Sequence, residues 1–284
     1  MLHFVKQTRL AKWLKETKLY KFIPESQGDW RYPFMCIAWW MVNILVPRRK
    51  VSVDGVTFTL SCTNWVTHFR WFLFKSKEQE VRYYINNYVK EKDVFFDVGA
   101  NVGVFSVYSA KCYSNISVYC FEPEYSNLCM LKENIVYNGL LAKTKIYSIA
   151  ISNFVGFSNL YLQDFTAGSA AHTESKESIN VTDEGYPVVG TEGIMAVTLD
   201  YICEQLGIVP NAMKIDTDGN EDKVLDGSVK TLSDKRLRSL VIEMPDDAKH
   251  QHCRKILTST GFNLTWSDRK KTRNEIWTRR GKYE

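Results

Sequence analysis

An α/β fold built on parallel strands is what residues 94 to 123 predict, and three observations carry it. Val94-Phe95-Phe96 is a short apolar run of strand type. Gly99, Asn101 and Gly103 follow, where the backbone can turn tightly and come close to a ligand. Ser117 to Phe121 is a second apolar run, ending in an acid, Glu122, and stopped by Pro123. A helix from about Val102 to Lys111 connects the two runs. Glu122 stands about 25 residues after Asp97, where a βαβ unit places a carboxylate to hold the ribose hydroxyls of a nucleoside. Phe105 occupies the place of a third glycine, so the turn is not the pyrophosphate-binding G-x-G-x-x-G and favours a nucleoside without a pyrophosphate.

The flanking elements continue the rhythm. Val81, Tyr84, Ile85 and Tyr88 recur at helical spacing within 77–90, which predicts a helix leading into the first strand. Downstream, the pattern predicts a helix over Tyr125 to Tyr137 with Asn138-Gly139 as its stop, then a strand over Lys145 to Ala150. Residues 153–197 break the rhythm, are rich in Gly, Ser, Thr and Ala, and read as an insertion over the cleft. A helix from Val197 to Leu206 follows, with Thr198 as its cap and Gly207 as its stop. Ala212 to Asp216 and Leu240 to Met244 are strands, separated by a helix over Glu221 to Leu232. A helix over 246–260 precedes a closing antiparallel pair, Phe262 to Trp266 and Glu275 to Thr278. Upstream, Val51 to Leu60 reads as a hairpin turning at Asp54-Gly55 and capping the sheet or the cleft.

Two parts emerge: a basic and aromatic extension with the hairpin over 1–76, and the α/β domain over 77–284. Residues 1–50 hold ten Lys or Arg against Glu16, Glu25 and Asp29, a net of +7, whereas the other 234 residues carry 27 basic and 29 acidic side chains. The near-neutral body argues against a nucleic-acid substrate, which draws basic residues around the cleft. Pro33 to Pro47 is the most apolar stretch but at 15 residues is short of the roughly 20 that span a bilayer. Its tryptophans, flanked by Arg31 and Arg48-Arg49-Lys50, leave two readings: a helix packed on the domain or on a second copy, or a peripheral contact with a membrane face. Seven cysteines without a C-x-x-C pair read as reduced thiols of a cytoplasmic protein.

The motifs Asp97-Val98-Gly99-Ala100-Asn101-Val102-Gly103, Phe121-Glu122-Pro123 and Lys214-Ile215-Asp216-Thr217-Asp218-Gly219-Asn220-Glu221 resemble those of the FkbM-type S-adenosylmethionine-dependent methyltransferases, over about Glu78 to Thr278. The resemblance implies a class I, Rossmann-like seven-stranded sheet with an antiparallel last strand, S-adenosylmethionine as cofactor, and methyl transfer to a hydroxyl oxygen. It also implies that Ala150 and Ile151 lie against the adenine and that Glu78 is the acid near the cofactor. Thr217-Asp218 departs from the family's frequent Val-Glu, which shortens the reach of that acid.

Ligands of an open parallel sheet lie beyond the carboxyl ends of its strands, where Asp97, Glu122, Asp216 and Glu243 converge. Glu122, with Pro123 behind it, is the candidate for the ribose. The backbone of Gly99, Ala100, Asn101 and Gly103, backed by Asp97, is the candidate for the methionine part. Lys214 interrupts an apolar strand and shares a face with Asp216, so the two form either a charge pair at the cleft, with Asp216 as general base, or a buried structural pair. Glu243 and His172 are further catalytic candidates, although a lone loop histidine is ordinarily exposed. Asp216, Asp218 and Glu243 could instead collect a divalent metal, the less favoured alternative. The expected function is O-methylation of a sugar hydroxyl on a glycan or glycosylated metabolite, or of another natural-product hydroxyl, by a cytoplasmic enzyme or one peripheral at the inner membrane face, with a homo-oligomer left open. A nucleoside-binding scaffold without catalysis and an NAD-dependent oxidoreductase are the rivals.

Overall fold

The computed structural model describes residues 47–244 and 249–279 together with Ile37 and Met41. The expectations for residues 1–36 and the rest of the Pro33 to Pro47 stretch lie outside the described residues. Contacts divide the chain into Met1–Pro47 and Arg48–Glu284, and the second unit is the one described below.

The unit opens with a hairpin, β1 (Arg48–Val53) and β2 (Val56–Ser61), turning through Asp54 and Gly55, both at positive φ, as a tight two-residue hairpin requires. Helix α1 (Trp65–Leu73) follows. The sequence reading passed over it, yet Asn64 and Thr67 form a reciprocal capping box at its start. Helix α2 (Gln79–Tyr88) leads into β3 (Val94–Val98), α3 (Val104–Cys112), β4 (Ser117–Phe121), α4 (Tyr125–Tyr137) and β5 (Thr144–Tyr147). The expected strand over Lys145 to Ala150 is split: Ala150–Ile151 forms β6, the start of a second sheet. The insertion is that sheet, with β7 (Gly156–Leu162), β8 (Thr173–Ser175) and β9 (Gly190–Val197) in the order β6-β9-β7-β8.

Helix α5 (Leu199–Leu206) is capped by Thr198 and ends at Gly207 with φ +65°, as the pattern predicts. After β10 (Ala212–Ile215) the expected single helix over Glu221 to Leu232 is two, α6 (Glu221–Asp226) and α7 (Val229–Ser233). At the break the chain runs against the segment after β6: a Cβ at Gly227 would lie 2.1 Å from the Ser152 carbonyl oxygen, so only glycine fits there. Then come β11 (Ser239–Glu243), α8 (Lys249–Ser259), β12 (Phe262–Ser267) and β13 (Asn274–Arg279).

The central sheet has seven strands in the order β12-β13-β11-β10-β3-β4-β5, parallel except for β13, which runs antiparallel to both its neighbours. Strand alternation separates two cores. Phe95, Val118 and Ala212 pack on one face with α2, α3 and α4, while Phe96, Val98, Phe121, Met213 and Ile215 pack on the other with α5 to α8. The hairpin does not cap the sheet: Val51, Phe58 and Leu60 join the first core, and β2 lies on α3 and α4. The order reverses between β3 and β10, so the chain departs in opposite directions from their carboxyl ends and leaves a crevice there.

Candidate functional site

That crevice is a cavity of 660 Å³. One side is built by the turn after β3. Gly99 (φ +74°) and Asn101 (φ +50°) both lie in the left-handed region. A Cβ on Gly99 would sit 1.7 Å from the Asp216 carbonyl oxygen, so the turn is pressed against the end of β10 and only glycine fits. The Gly99 and Ala100 amides each donate to the Phe121 carbonyl at 3.0 Å. Gly103 answers a different demand: it caps α3 at φ +77°, and its Cβ would meet Leu131 Cδ1 of α4 at 2.2 Å.

Glu122 closes this side. Its Oε2 accepts from the Asn101 amide at 2.7 Å and its Oε1 from the Glu124 amide at 3.0 Å, and the Asn127 side chain is a further donor to it, which together orient the carboxylate. Burial pushes its pKa up to about 7 against the pull of those donors. Pro123, Ala150 and Ile151 line the same end of the cavity.

Where the turn meets the end of β10 the wall is acidic. Parallel pairing sets Lys214 of β10 directly opposite Asp97 of β3, and alternation along β10 brings Asp216 to the same face. The buried Lys214 Nζ lies 3.2 Å from Asp216 Oδ2, 3.5 Å from Asp97 Oδ1 and 3.2 Å from the Gly99 carbonyl. The two carboxylates respond in opposite directions. Burial raises Asp97 more than Lys214 lowers it, while at Asp216 burial is outweighed by the nearer ammonium, the hydrogen bond with Glu243 and the Arg70 charge together, and the pKa falls. Lys214 is held protonated, the carboxylates outweighing its burial. Asp97 does not pin the turn through backbone N–H groups; its Oδ2 accepts from Ser106 Oγ of α3 at 2.5 Å, and it lies behind the turn rather than on the cavity wall.

Glu243, at the end of β11, bonds to Asp216 and pairs with Arg273 at 2.7 Å. Burial and then the Asp216 charge push its pKa up against the pull of Arg273, while Asp216, beside the buried ammonium, is held low. Asp218 (φ +54°) is raised by burial and by Asp216, and Glu78 likewise. Glu221 does not face an acceptor; it accepts from the Thr217 amide at 2.7 Å and from the Gly219 amide at 3.1 Å, holding the loop that carries Asp218. No group of three metal-ligating side chains forms among the described residues.

The insertion closes over this site. The Asn101 Nδ2 donates to the Ser169 carbonyl at 2.8 Å, and the Gly168 amide donates to Asn127 Oδ1 at 2.6 Å. His172 is 8% exposed, not the exposed loop histidine expected, because β8 begins beside it and carries it under the insertion sheet. Its Nδ1 accepts from the Gln163 amide at 3.3 Å and burial lowers its pKa, so the ring is neutral with the proton on Nε2, a donor toward the cavity. Of the expected site residues, Glu78, Gly99, Asn101, Glu122, Pro123, Ala150, Ile151, His172, Asp216 and Glu243 line the one cavity; Ala100 and Lys214 line a neighbouring one; Asp97 and Gly103 line neither. Arg70 and Asn220 also line it, and local pattern does not single them out: Arg70 rides on α1, and Asn220 lies within the Lys214 to Glu221 motif. The Asn220 Oδ1 is buried without a hydrogen-bond partner, an acceptor atom left for a ligand.

The profile of the methyltransferase FkbM domain matches residues 97–264. The 31-O-demethyl-FK506 methyltransferase FkbM of Streptomyces tacrolimicus is 26% identical over 174 residues, which are 54% of this chain and 66% of that protein, so the chain spans just under two thirds of that relative's length. Two solved structures are similar: the methyltransferase FkbM from Methylobacillus flagellatus KT, at 15% identity and a TM-score of 0.42 over 75% of this chain and 52% of that one; and a putative SAM-dependent methyltransferase from Streptococcus mutans, at 8% identity and a TM-score of 0.45 over 81% and 55%.

Proposed function

Since the chain belongs to the methyltransferase FkbM domain family, we propose that it transfers a methyl group from S-adenosylmethionine to a hydroxyl oxygen, on a sugar of a glycan or glycosylated metabolite. The observation that carries this reading is the shared cavity, which Glu122, the Gly99 turn and Asp216 all line, with the turn pressed against Asp216 and Lys214 bridging the two. S-adenosylmethionine supplies an electrophilic methyl on a sulfonium; the S–CH3 bond breaks as the O–CH3 bond forms, and S-adenosylhomocysteine is left.

The residues fit that cofactor. The Glu122 carboxylate, oriented at the cavity wall by the Asn101 and Glu124 amides, is the acceptor for the ribose hydroxyls. Ala150 and Ile151 offer an apolar seat for the base, and the turn around Gly99 and Asn101 receives the amino-acid part. Lys214 keeps Asp216 charged, so this carboxylate can accept the hydroxyl proton as the oxygen attacks, or orient that hydroxyl. Glu243 with its Arg273 partner, His172 and the unpartnered Asn220 Oδ1 supply both donors and acceptors around it, a polar wall suited to a polyhydroxylated acceptor. Peripheral membrane contact through residues 1–50 is a separate proposal; no helix among the described residues is long and apolar enough to cross a membrane.

Calorimetric titration with S-adenosylhomocysteine, with NAD as control, tests the cofactor: binding of the former alone is expected, and binding of NAD alone would overturn the reading. Asp216→Asn is expected to retain S-adenosylhomocysteine binding and to lose turnover by about 10²-fold or more; near-normal turnover would remove Asp216 from the chemistry.

A further inference from the structure

A second chamber of 310 Å³ adjoins the first, sharing with it the Gly99 turn, Glu78, Arg70 and Asp216. Its walls differ in kind. Val66, Phe69 and Leu73 of α1 face Val104 and Phe105 at the start of α3, and the Gly168 to Ala170 turn of the insertion closes the remaining side. That closure is built in: Asn64 Nδ2 donates to the Ala167 carbonyl at 3.0 Å, the Arg70 guanidinium donates to the Gly168 carbonyl, and a Cβ on Gly168 would lie 3.2 Å from Val66 and Thr67.

The charges of this chamber are already engaged. Lys214 is held by Asp97, Asp216 and the Gly99 carbonyl, Arg70 by Gly168, Lys77 by Glu78 at 3.6 Å, and Asp164 accepts from the Thr166 amide at 2.7 Å. What is left for a ligand is mainly aliphatic and aromatic wall, with the Asp216 carboxylate at the point where the chambers meet. The apolar wall also continues outward. Phe69 is 44% exposed at the rim, and Trp65, stacked on it at 5.8 Å, and Phe72 lie exposed on the same helix.

We propose that the second chamber takes the apolar body of the acceptor, so that the substrate is an amphiphile: its hydroxylated head reaches Asp216 from the polar chamber, while an alkyl or aryl portion lies between Phe69, Leu73 and Phe105. This rests on the reading of Asp216 as the group that meets the acceptor hydroxyl. A purely hydrophilic sugar would leave the chamber walls in water and gain nothing from them, whereas each buried methylene of a tail strengthens binding.

Octyl and methyl β-glucoside, both below micellar concentrations, are titrated into the full chain saturated with S-adenosylhomocysteine. The octyl compound is expected to bind about tenfold or more tighter. Phe69→Asp and Leu73→Asp are each expected to return it to the affinity of the methyl compound, while S-adenosylhomocysteine affinity, which also reports folding, stays within about twofold. Equal affinity of the two glucosides, or no binding of either, overturns the proposal. A large loss of S-adenosylhomocysteine affinity in Phe69→Asp, at the exposed rim, also overturns it, by assigning the chamber to the cofactor's amino-acid end. The sugar reading fails separately, if 1-octanol binds as tightly as octyl glucoside.

Discussion

The two ends of the cavity are made in different ways. At the Glu122 end the backbone does most of the shaping: a turn at positive φ, two amides aimed at one carboxylate, and a glycine pressed on a neighbouring strand. At the Asp216 end side chains from distant segments meet, with Lys214 from β10, Asp97 from β3, Glu243 from β11, Glu78 before α2 and Arg273 before β13. The first end depends on local conformation and tolerates few residue types at each position. The second depends on charge balance, and each member's protonation is set by the others.

The sharpest way to break the contrast is to unbalance the acidic end. Lys214→Met leaves the buried Asp97 and the half-buried Asp216 without their cation and is expected to cost about 3 kcal/mol of stability or more, read from urea unfolding. If stability is unchanged, the pair is not electrostatically coupled and the acidic end is no more than a set of neighbours. At the backbone end the counterpart is Gly99→Ala, which places a methyl 1.7 Å from the Asp216 carbonyl and should cost about 3 kcal/mol and weaken S-adenosylhomocysteine binding. A tolerated alanine would show that the turn can move away from β10.

Smaller effects sharpen the comparison further. Glu122→Ala is expected to weaken S-adenosylhomocysteine binding by about 1–3 kcal/mol, and unchanged affinity would remove it from the ribose site. The smallest test is the pH dependence. With its pKa pushed up to about 7, Glu122 is ionised above that value and protonated below it, and the ionised form is the one that accepts two ribose hydroxyls. Affinity for S-adenosylhomocysteine should therefore be steady above pH 7 and fall as pH drops below it, by up to about tenfold per pH unit. Glu122→Gln should flatten that profile; a slope that persists would come from the acidic end instead.

Legibility followed the same division. The strand, turn, helix, strand and acid of residues 94–123 were readable because each depends on neighbours in sequence, and Thr198, Gly207 and the Asp54-Gly55 turn were readable for the same reason. Helix α1 carries local signals, its capping box and the helical spacing of Val66, Phe69 and Leu73, but that its Trp65, Phe69 and Phe72 stay exposed and that it walls a chamber follow only from the fold. The break between α6 and α7 was out of reach: Gly227 reads as an ordinary helix glycine until the segment after β6 is seen to run against it.

By itself, then, the chain's sequence determined the βαβ core, the left-handed turn and the acids standing at strand ends, because strand alternation and backbone sterics act over a few residues. Only the tertiary structure decided that Lys214 faces Asp97 as well as Asp216, that Asp216 keeps its charge while Glu243 and Asp218 are pushed toward the neutral form, and that α1 walls a second chamber. Those outcomes depend on strand register and burial, and a carboxylate's charge state depends on the distance to each neighbouring charge, which spacing along the chain does not specify.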